Sequence, residues 1–193
     1  MSEFDILVVC LGNVCRSPAG ERLLRLRLDG YLGSAREAVH VSSAGVRAVV
    51  GAGMDERAAA ELLRLGGDPT GFRARQLTPV MATTADLVLT ATRQLRSRVL
   101  EDAPRTMRRT FTIREFAAVI SSGALDGRAH DAADLVARAA AARARVGHVD
   151  QDIPDPIGQS EAVHREVVES LDRDCTAIAR VLTGAVLSGV SPT

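Results

Sequence analysis

Phe4 to Val9 is a short apolar run without turn residues, the pattern of a strand buried on both faces of a parallel sheet. A loop follows, and from Pro18 onward Leu23, Leu24, Leu26 and Leu28 recur among charged residues as in a helix. Proline suits a first helical turn, where its missing N–H has no partner to lose. The same alternation repeats along the chain: Val39 to Ser43 reads as strand and Asp55 to Leu65 as helix, stopped at Gly66-Gly67. Asp86 to Thr90 then reads as strand, Arg93 to Leu100 as helix and Thr110 to Ile113 as strand. This order predicts an α/β fold, doubly wound in three layers around a central parallel sheet of about four strands. After Arg114 the regularity weakens. Residues 116–148 read as an insertion with Gly-rich turns and an Ala/Arg helix around Ala132 to Arg145. Asp150 to Gly158, with two prolines, reads as loop, and Glu161 to Leu187 as a closing helix.

Composition narrows the function classes. At 193 residues and 46% hydrophobic, residues 1–193 are expected to form a single domain. The 24 basic and 24 acidic residues cancel, so no overall field would hold the chain on nucleic acid or an anionic membrane, and neither is expected as a partner. Every basic residue is Arg. The first apolar run is too short for a signal-peptide core, and Ala177 to Val190 is too short to span a bilayer. Three cysteines, two of them five residues apart, do not make the framework of a secreted domain. These features point to a cytoplasmic protein, monomeric or weakly homo-oligomeric.

The candidate chemistry lies after the first strand, in Cys10-Leu11-Gly12-Asn13-Val14-Cys15-Arg16-Ser17-Pro18. A loop this short between strand and helix can turn successive backbone N–H groups toward one anion, and the helix N-terminus adds partial positive charge. Arg16 would supply a bidentate fork for phosphate oxygens. The same donors would favour a Cys10 thiolate, making it a nucleophile. Gly12 permits close backbone approach, Asn13 tolerates a left-handed conformation, and the Ser17 hydroxyl can donate to sulfur. Spacing alone is weak, since with 24 arginines in 193 positions an Arg falls six residues after a given cysteine about once in eight. The buried strand before the loop, Gly-Asn inside it and Ser-Pro after it make the case specific.

These nine residues resemble the signature of the low-molecular-weight protein tyrosine phosphatases: Cys, five residues, Arg, Ser, near the start of the chain. The resemblance continues through Ser42-Ser43-Ala44-Gly45, Met54-Asp55 with Ala58, Arg75-Gln76-Leu77, Ala85-Asp86-Leu87-Val88-Leu89 and Asp155-Pro156. It implies a phosphatase acting without metal or other cofactor on a phosphorylated protein or a small aryl phosphate, through a phosphocysteine. Cys10 would be the nucleophile and Arg16 the phosphate clamp, with Leu11, Gly12, Asn13, Val14, Cys15 and Ser17 binding substrate and Ser43 supporting the loop. The general-acid role falls on Asp155 in Ile153-Pro154-Asp155-Pro156, where two prolines stiffen the backbone, with Asp150 and Asp152 as rivals on the same loop. Cys15 resembles a resolving thiol that could close a disulfide on oxidised Cys10, or it is a small apolar loop residue. Cys175 reads as core. His40, His130, His148 and His164 show no ligand spacing, so no metal is assigned.

Two features depart from the family. Ile157 and Gly158 stand where a tyrosine pair commonly walls the pocket, and Phe72 stands where a histidine often helps Asn13 and Ser43 shape the loop. Two alternatives follow. One is a thioredoxin-coupled arsenate reductase on the same fold, which needs a further cysteine pair some seventy residues on, whereas residues 80–95 contain none. The other is a catalytically impaired phosphate-binding relative.

Overall fold

β1 (Phe4–Cys10) runs through the centre of a four-stranded sheet with all strands parallel, in the order β2 (Val39–Gly45), β1, β3 (Leu87–Thr90), β4 (Thr110–Thr112). The computed structural model describes residues 3–125, 127–147 and 150–189. Side chains alternate across a strand, so β1 feeds two cores. Phe4, Ile6 and Val8 join Leu23, Leu24 and Leu28 of α1 (Arg16–Leu32) and Val168, Leu171 and Ile178 of α7 (Glu161–Gly189). Leu7 and Val9 face the other way, onto Ala82 of α3 (Pro79–Thr84) and Val99 of α4 (Arg93–Asp102). Helices on both faces of a parallel sheet make the three layers predicted. Leu23, Leu62 and Leu171 are fully buried, each removing apolar surface worth about 1.5–3 kcal/mol. Gly20 lets α1 lie close on the sheet, since a Cβ there would stand 3.3 Å from Val8 Cγ1.

Most predicted elements appear with shifted ends. α1 starts at Arg16, two residues before Pro18, so the loop is shorter than the proline suggests. α2 (Glu56–Arg64) starts after Asp55, which is its cap and accepts from the amides of Arg57 and Ala58. β3 begins at Leu87, one residue late, and α7 extends to Gly189. α3, capped by Thr78, has no counterpart in the sequence reading.

The larger correction concerns the region after β4. The strand stops at Thr112, and Ile113 begins α5 (Ile113–Ser121), where weak regularity was expected. Thr112 and Glu115 form a reciprocal capping box, and Ile113, Phe116, Ala117 and Ile120 recur at helical spacing on the buried face. Phe116 packs on Phe111 with ring centroids 5.0 Å apart. α6 (Ala132–Ala142) accounts for the Ala/Arg helix and packs against α7. Residue 148, the predicted end of the insertion, lies outside the described residues. Residues 150–160 contain no helix or strand. Among the described residues, no helix is long and apolar enough to cross a membrane.

Candidate active site

From β1 the chain moves to β2 on one side, then crosses back over β1 to β3 on the other. Strand order therefore reverses at β1, and the carboxyl ends of β1 and β3 open a crevice where open α/β sheets bind ligands. Cys10 ends β1 there. Ile153 of the 150–158 loop donates its amide to Ala91 O, just past β3, at 2.9 Å. The sheet thus brings together two segments more than 130 residues apart.

The loop from Cys10 is anchored through its carbonyls. Cys10 O, Leu11 O, Gly12 O and Val14 O accept from the amides of Val46 (3.1 Å), Arg47 (2.9 Å), Val49 (3.0 Å) and Asp55 (2.7 Å). In a trans peptide the N–H points opposite the C=O, so outward-tied carbonyls turn the following amides inward. Asn13 makes this visible: its amide donates to Cys10 Sγ at 3.3 Å. Asn13 also sits at φ 53°, a left-handed conformation that Asn tolerates better than most side chains. Gly45, beside Cys10 in the sheet, is required by this packing, because a Cβ there would meet Leu11 O at 2.6 Å and Asn13 N at 2.8 Å.

The polar side chains form a network whose donor directions are fixed. The Arg75 amide can only donate, and it donates to Asn13 Oδ1 at 2.7 Å. Asn13 Nδ2 must then donate, and it serves both Ser17 Oγ and Ser43 Oγ at 2.9 Å. Ser43 passes its proton toward Glu21 Oε2 at 2.6 Å, and Ser17 toward Cys10 Sγ at 2.9 Å, closer than its 3.4 Å alternative at Ala44 O. The sulfur therefore accepts two hydrogen bonds. All these groups except Arg75 are buried, so the network is worth more than its surface equivalent and costly to break.

Arg16 crosses from the loop to the opposite wall. Its NH1 donates to Ile153 O at 3.1 Å and its NH2 to Asp155 Oδ2 at 2.5 Å, while its buried Nε has no partner among the described residues. Cys10, Arg16 and Asp155 line one cleft of about 320 Å³, whose other walls include Leu11, Val14, Val49 and Ile157, with Arg47 at its edge. Its side walls are aliphatic, and Phe72 is buried, with Glu21 and Arg75 supporting Asn13 and Ser43. The rival acids are engaged elsewhere: Asp150 with Arg114, and Asp152 with the Arg93 amide and guanidinium. Burial pushes the Asp152 carboxyl up, but these Arg93 bonds outweigh it and hold it below the usual carboxylate range.

Cys15 faces the same cleft, yet burial and then the negative charge of Asp55 push its thiol far above the ordinary range. Cys10, Cys15 and Cys175 are all free, with Cys175 buried in α7 against Gly20 O. No three His, Cys, Asp or Glu side chains converge as a metal site among the described residues. His40 pairs with Asp5, and buried His164 stands 3.2 Å from Asp55 Oδ1. The supports missing from the sequence reading are Glu21, Gly45 and Arg75. Glu21 is visible only once β2 lies beside β1, whereas Gly45 and Arg75 stand inside the motifs that carry the resemblance.

A family model described as low molecular weight phosphotyrosine protein phosphatase matches residues 5–127. The chain belongs to this family. It is 42% identical to the low molecular weight protein-tyrosine-phosphatase Etp of Escherichia coli K12 over 106 residues, 55% of this chain and 66% of Etp. The chain thus spans just under two thirds of that relative. Among solved structures, the tyrosine phosphatase Wzb from Escherichia coli K30, in complex with sulphate, superposes with TM-score 0.67 at 27% identity. That likeness covers 93% of this chain and 98% of Wzb. The YwlE arginine phosphatase from Geobacillus stearothermophilus superposes with TM-score 0.68 at 26% identity, covering 92% and 91%.

Proposed function

We propose that the protein is a cysteine-dependent phosphatase that hydrolyses phosphotyrosine in proteins, or related aryl phosphates, through a phosphocysteine. The observation that carries this reading is the cradle itself: inward amides, a sulfur that accepts two hydrogen bonds, and an Arg16 Nε without a partner among the described residues, around one cleft. A tetrahedral anion suits these donors, and the sulphate named with Wzb is of that shape. Cys10 Sγ attacks phosphorus, forming S–P as the P–O bond to the leaving group breaks, and Asp155 gives that oxygen its proton. The Asp155 carboxylate then takes a proton from water as the new O–P bond forms and S–P breaks. Arg16 and the loop amides stabilise the equatorial oxygens throughout. Leu11, Gly12, Val14, Cys15 and Ser17 shape the cradle, and Ser43 supports it through Asn13.

Retention of Cys10, Arg16 and Asp155 around one cleft argues against an impaired relative. The arsenate reductase reading is not favoured, because a third cysteine buried in α7 supplies no redox pair. We read residues 1–193 as one domain with an added segment around 116–148, supported by the packing of α5 and α6 on α7. A cytoplasmic setting fits the free thiols.

The deciding experiment compares wild type and Cys10→Ser on p-nitrophenyl phosphate and phosphotyrosine peptide, with and without EDTA. Wild type is expected to turn over both substrates with EDTA present, because Arg16 and the amides supply the positive charge. Cys10→Ser is expected to lose turnover and keep inorganic phosphate binding. Substantial turnover by Cys10→Ser would remove the nucleophile assignment. A phosphoarginine peptide belongs in the same assay, since the aliphatic cleft offers no ring to stack on tyrosine; faster turnover of it would move the substrate class.

A further inference from the structure

The loop that carries Asp155 is gripped at one peptide group from both sides. The amide of Ile153 goes to Ala91 O, and the carbonyl of the same peptide, Asp152 O, accepts from Arg114 NH1 at 2.9 Å. The same nitrogen reaches Asp150 Oδ2 at 3.0 Å, while Arg114 NH2 donates to Ser170 Oγ of α7 at 3.1 Å. Arg114 is the second residue of α5, so one guanidinium joins α5, the loop and α7. The next carbonyl, Ile153 O, goes to Arg16, and Pro154 fixes the backbone angle just before Asp155. The backbone leading to Asp155 is thus held by Arg114 at a peptide two residues earlier, while Arg16 holds the carboxylate itself.

The exposed contact with Asp150 counts for little. The bonds to Asp152 O and Ser170 Oγ are part-buried, and removing Arg114 leaves a carbonyl there without its donor. Asp174 of α7 also feels the Arg114 charge, which draws its carboxyl down against the upward push of burial.

We infer that Arg114 is a positioning residue for the proton transfer, setting the Asp152–Ile153 peptide so that Asp155 faces the leaving group. This rests on the reading of Asp155 as the acid. Its signature is a loss that depends on the leaving group, since p-nitrophenolate departs as an anion and needs its proton less than the tyrosine phenoxide does.

The test is steady-state kinetics of Arg114→Ala and Arg114→Lys beside wild type and Asp155→Asn, with inhibition by inorganic phosphate and thermal melting. A misplaced acid is expected to lower kcat on phosphotyrosine about tenfold and on p-nitrophenyl phosphate less than about threefold. The phosphate inhibition constant should not move, and Lys should recover part of the loss. In the Asp155→Asn background, Arg114→Ala should add no further loss, because both act through one group. Equal losses on the two substrates, or an additive loss in that background, would overturn the inference. Should Arg114→Ala fail to fold, Ser170→Ala cuts the same clip and is expected to show a smaller loss of the same kind; none, or an equal one on both substrates, would overturn it. If Asp155→Asn itself shows no leaving-group dependence while wild type is active, the acid assignment falls, and this inference with it.

Discussion

The two walls of the cleft are held by different physics. The cradle after β1 is fixed by backbone: four carbonyls bond to one neighbouring segment, and Asn13, Ser17, Ser43 and Glu21 close a buried network beneath it. The opposite wall, residues 150–158, is fixed largely by arginine side chains from three separate elements, Arg16, Arg93 and Arg114, and its carboxylates are open to solvent. A nucleophile and an anion cradle need fixed geometry, which a buried and satisfied network gives. An acid that must exchange protons with water needs access, and a loop held by side-chain clips keeps it.

Asp155→Asn tests the difference most severely, because it removes the proposed proton donor and leaves the cradle backbone intact. General acid catalysis contributes about 10²–10⁴-fold, so turnover of phosphotyrosine should fall in that range. The fall on p-nitrophenyl phosphate should be smaller, and an initial burst of phenol should appear if hydrolysis of the phosphocysteine becomes limiting. Equal rates for Asp155→Asn and wild type on phosphotyrosine, with a loss in Asp152→Asn instead, would make the Asp-Pro only a turn.

Gly45→Ala should act on the other wall, with the opposite signature. A Cβ at 2.6 Å from Leu11 O cannot be absorbed by a side-chain rotation, so the cradle backbone must move. A displacement of up to 1 Å costs about 10–100-fold in rate, and here the loss should be alike for all leaving groups and accompanied by weaker phosphate inhibition. A loss confined to poor leaving groups would mean that the two walls are not mechanically separate.

The same contrast explains what could be read from sequence. The cradle is local, nine consecutive residues between a strand and a helix, and its parts were legible together: Cys10, Asn13 and Ser17 hydrogen-bond to one another, and Arg16 lines the same cleft. Asp155 could be named from its motif, but nothing in the spacing showed that Arg16 would reach it. Arg114 and Glu21 act across long sequence separations, and among 24 arginines none is marked by composition. Helix α5 was missed for another reason. Its capping box, Thr112 and Glu115, and its helical apolar spacing were present in the sequence, but the turn residues that follow drew the whole stretch into an irregular reading.

The smallest effect concerns stability and sharpens the contrast from below. Beneath the clip of Arg114, Asp174 is largely buried and its Oδ2 has no hydrogen-bond partner among the described residues, whereas the carboxylate beneath the cradle, Glu21, is bonded by Ser43. Burial pushes the Asp174 carboxyl up to about 6, with Arg114 and Arg173 opposing. An acid whose pKa is higher folded than unfolded binds its proton more tightly in the native state. That contribution is fully present below the ordinary aspartate value of 3.8 and is lost as pH rises through about 6. A shift of this size, discounted for partial exposure, corresponds to about 1–2 kcal/mol. Asp174→Asn should therefore raise the melting temperature at pH 7 and change it little at pH 4, with kcat on p-nitrophenyl phosphate unaltered. Melting curves of the two proteins at pH 4, 5, 6 and 7 provide the check. If the gap between them does not widen from pH 4 to pH 7, Asp174 finds compensation in solution, and the acid-loop side carries no more electrostatic stress than the cradle.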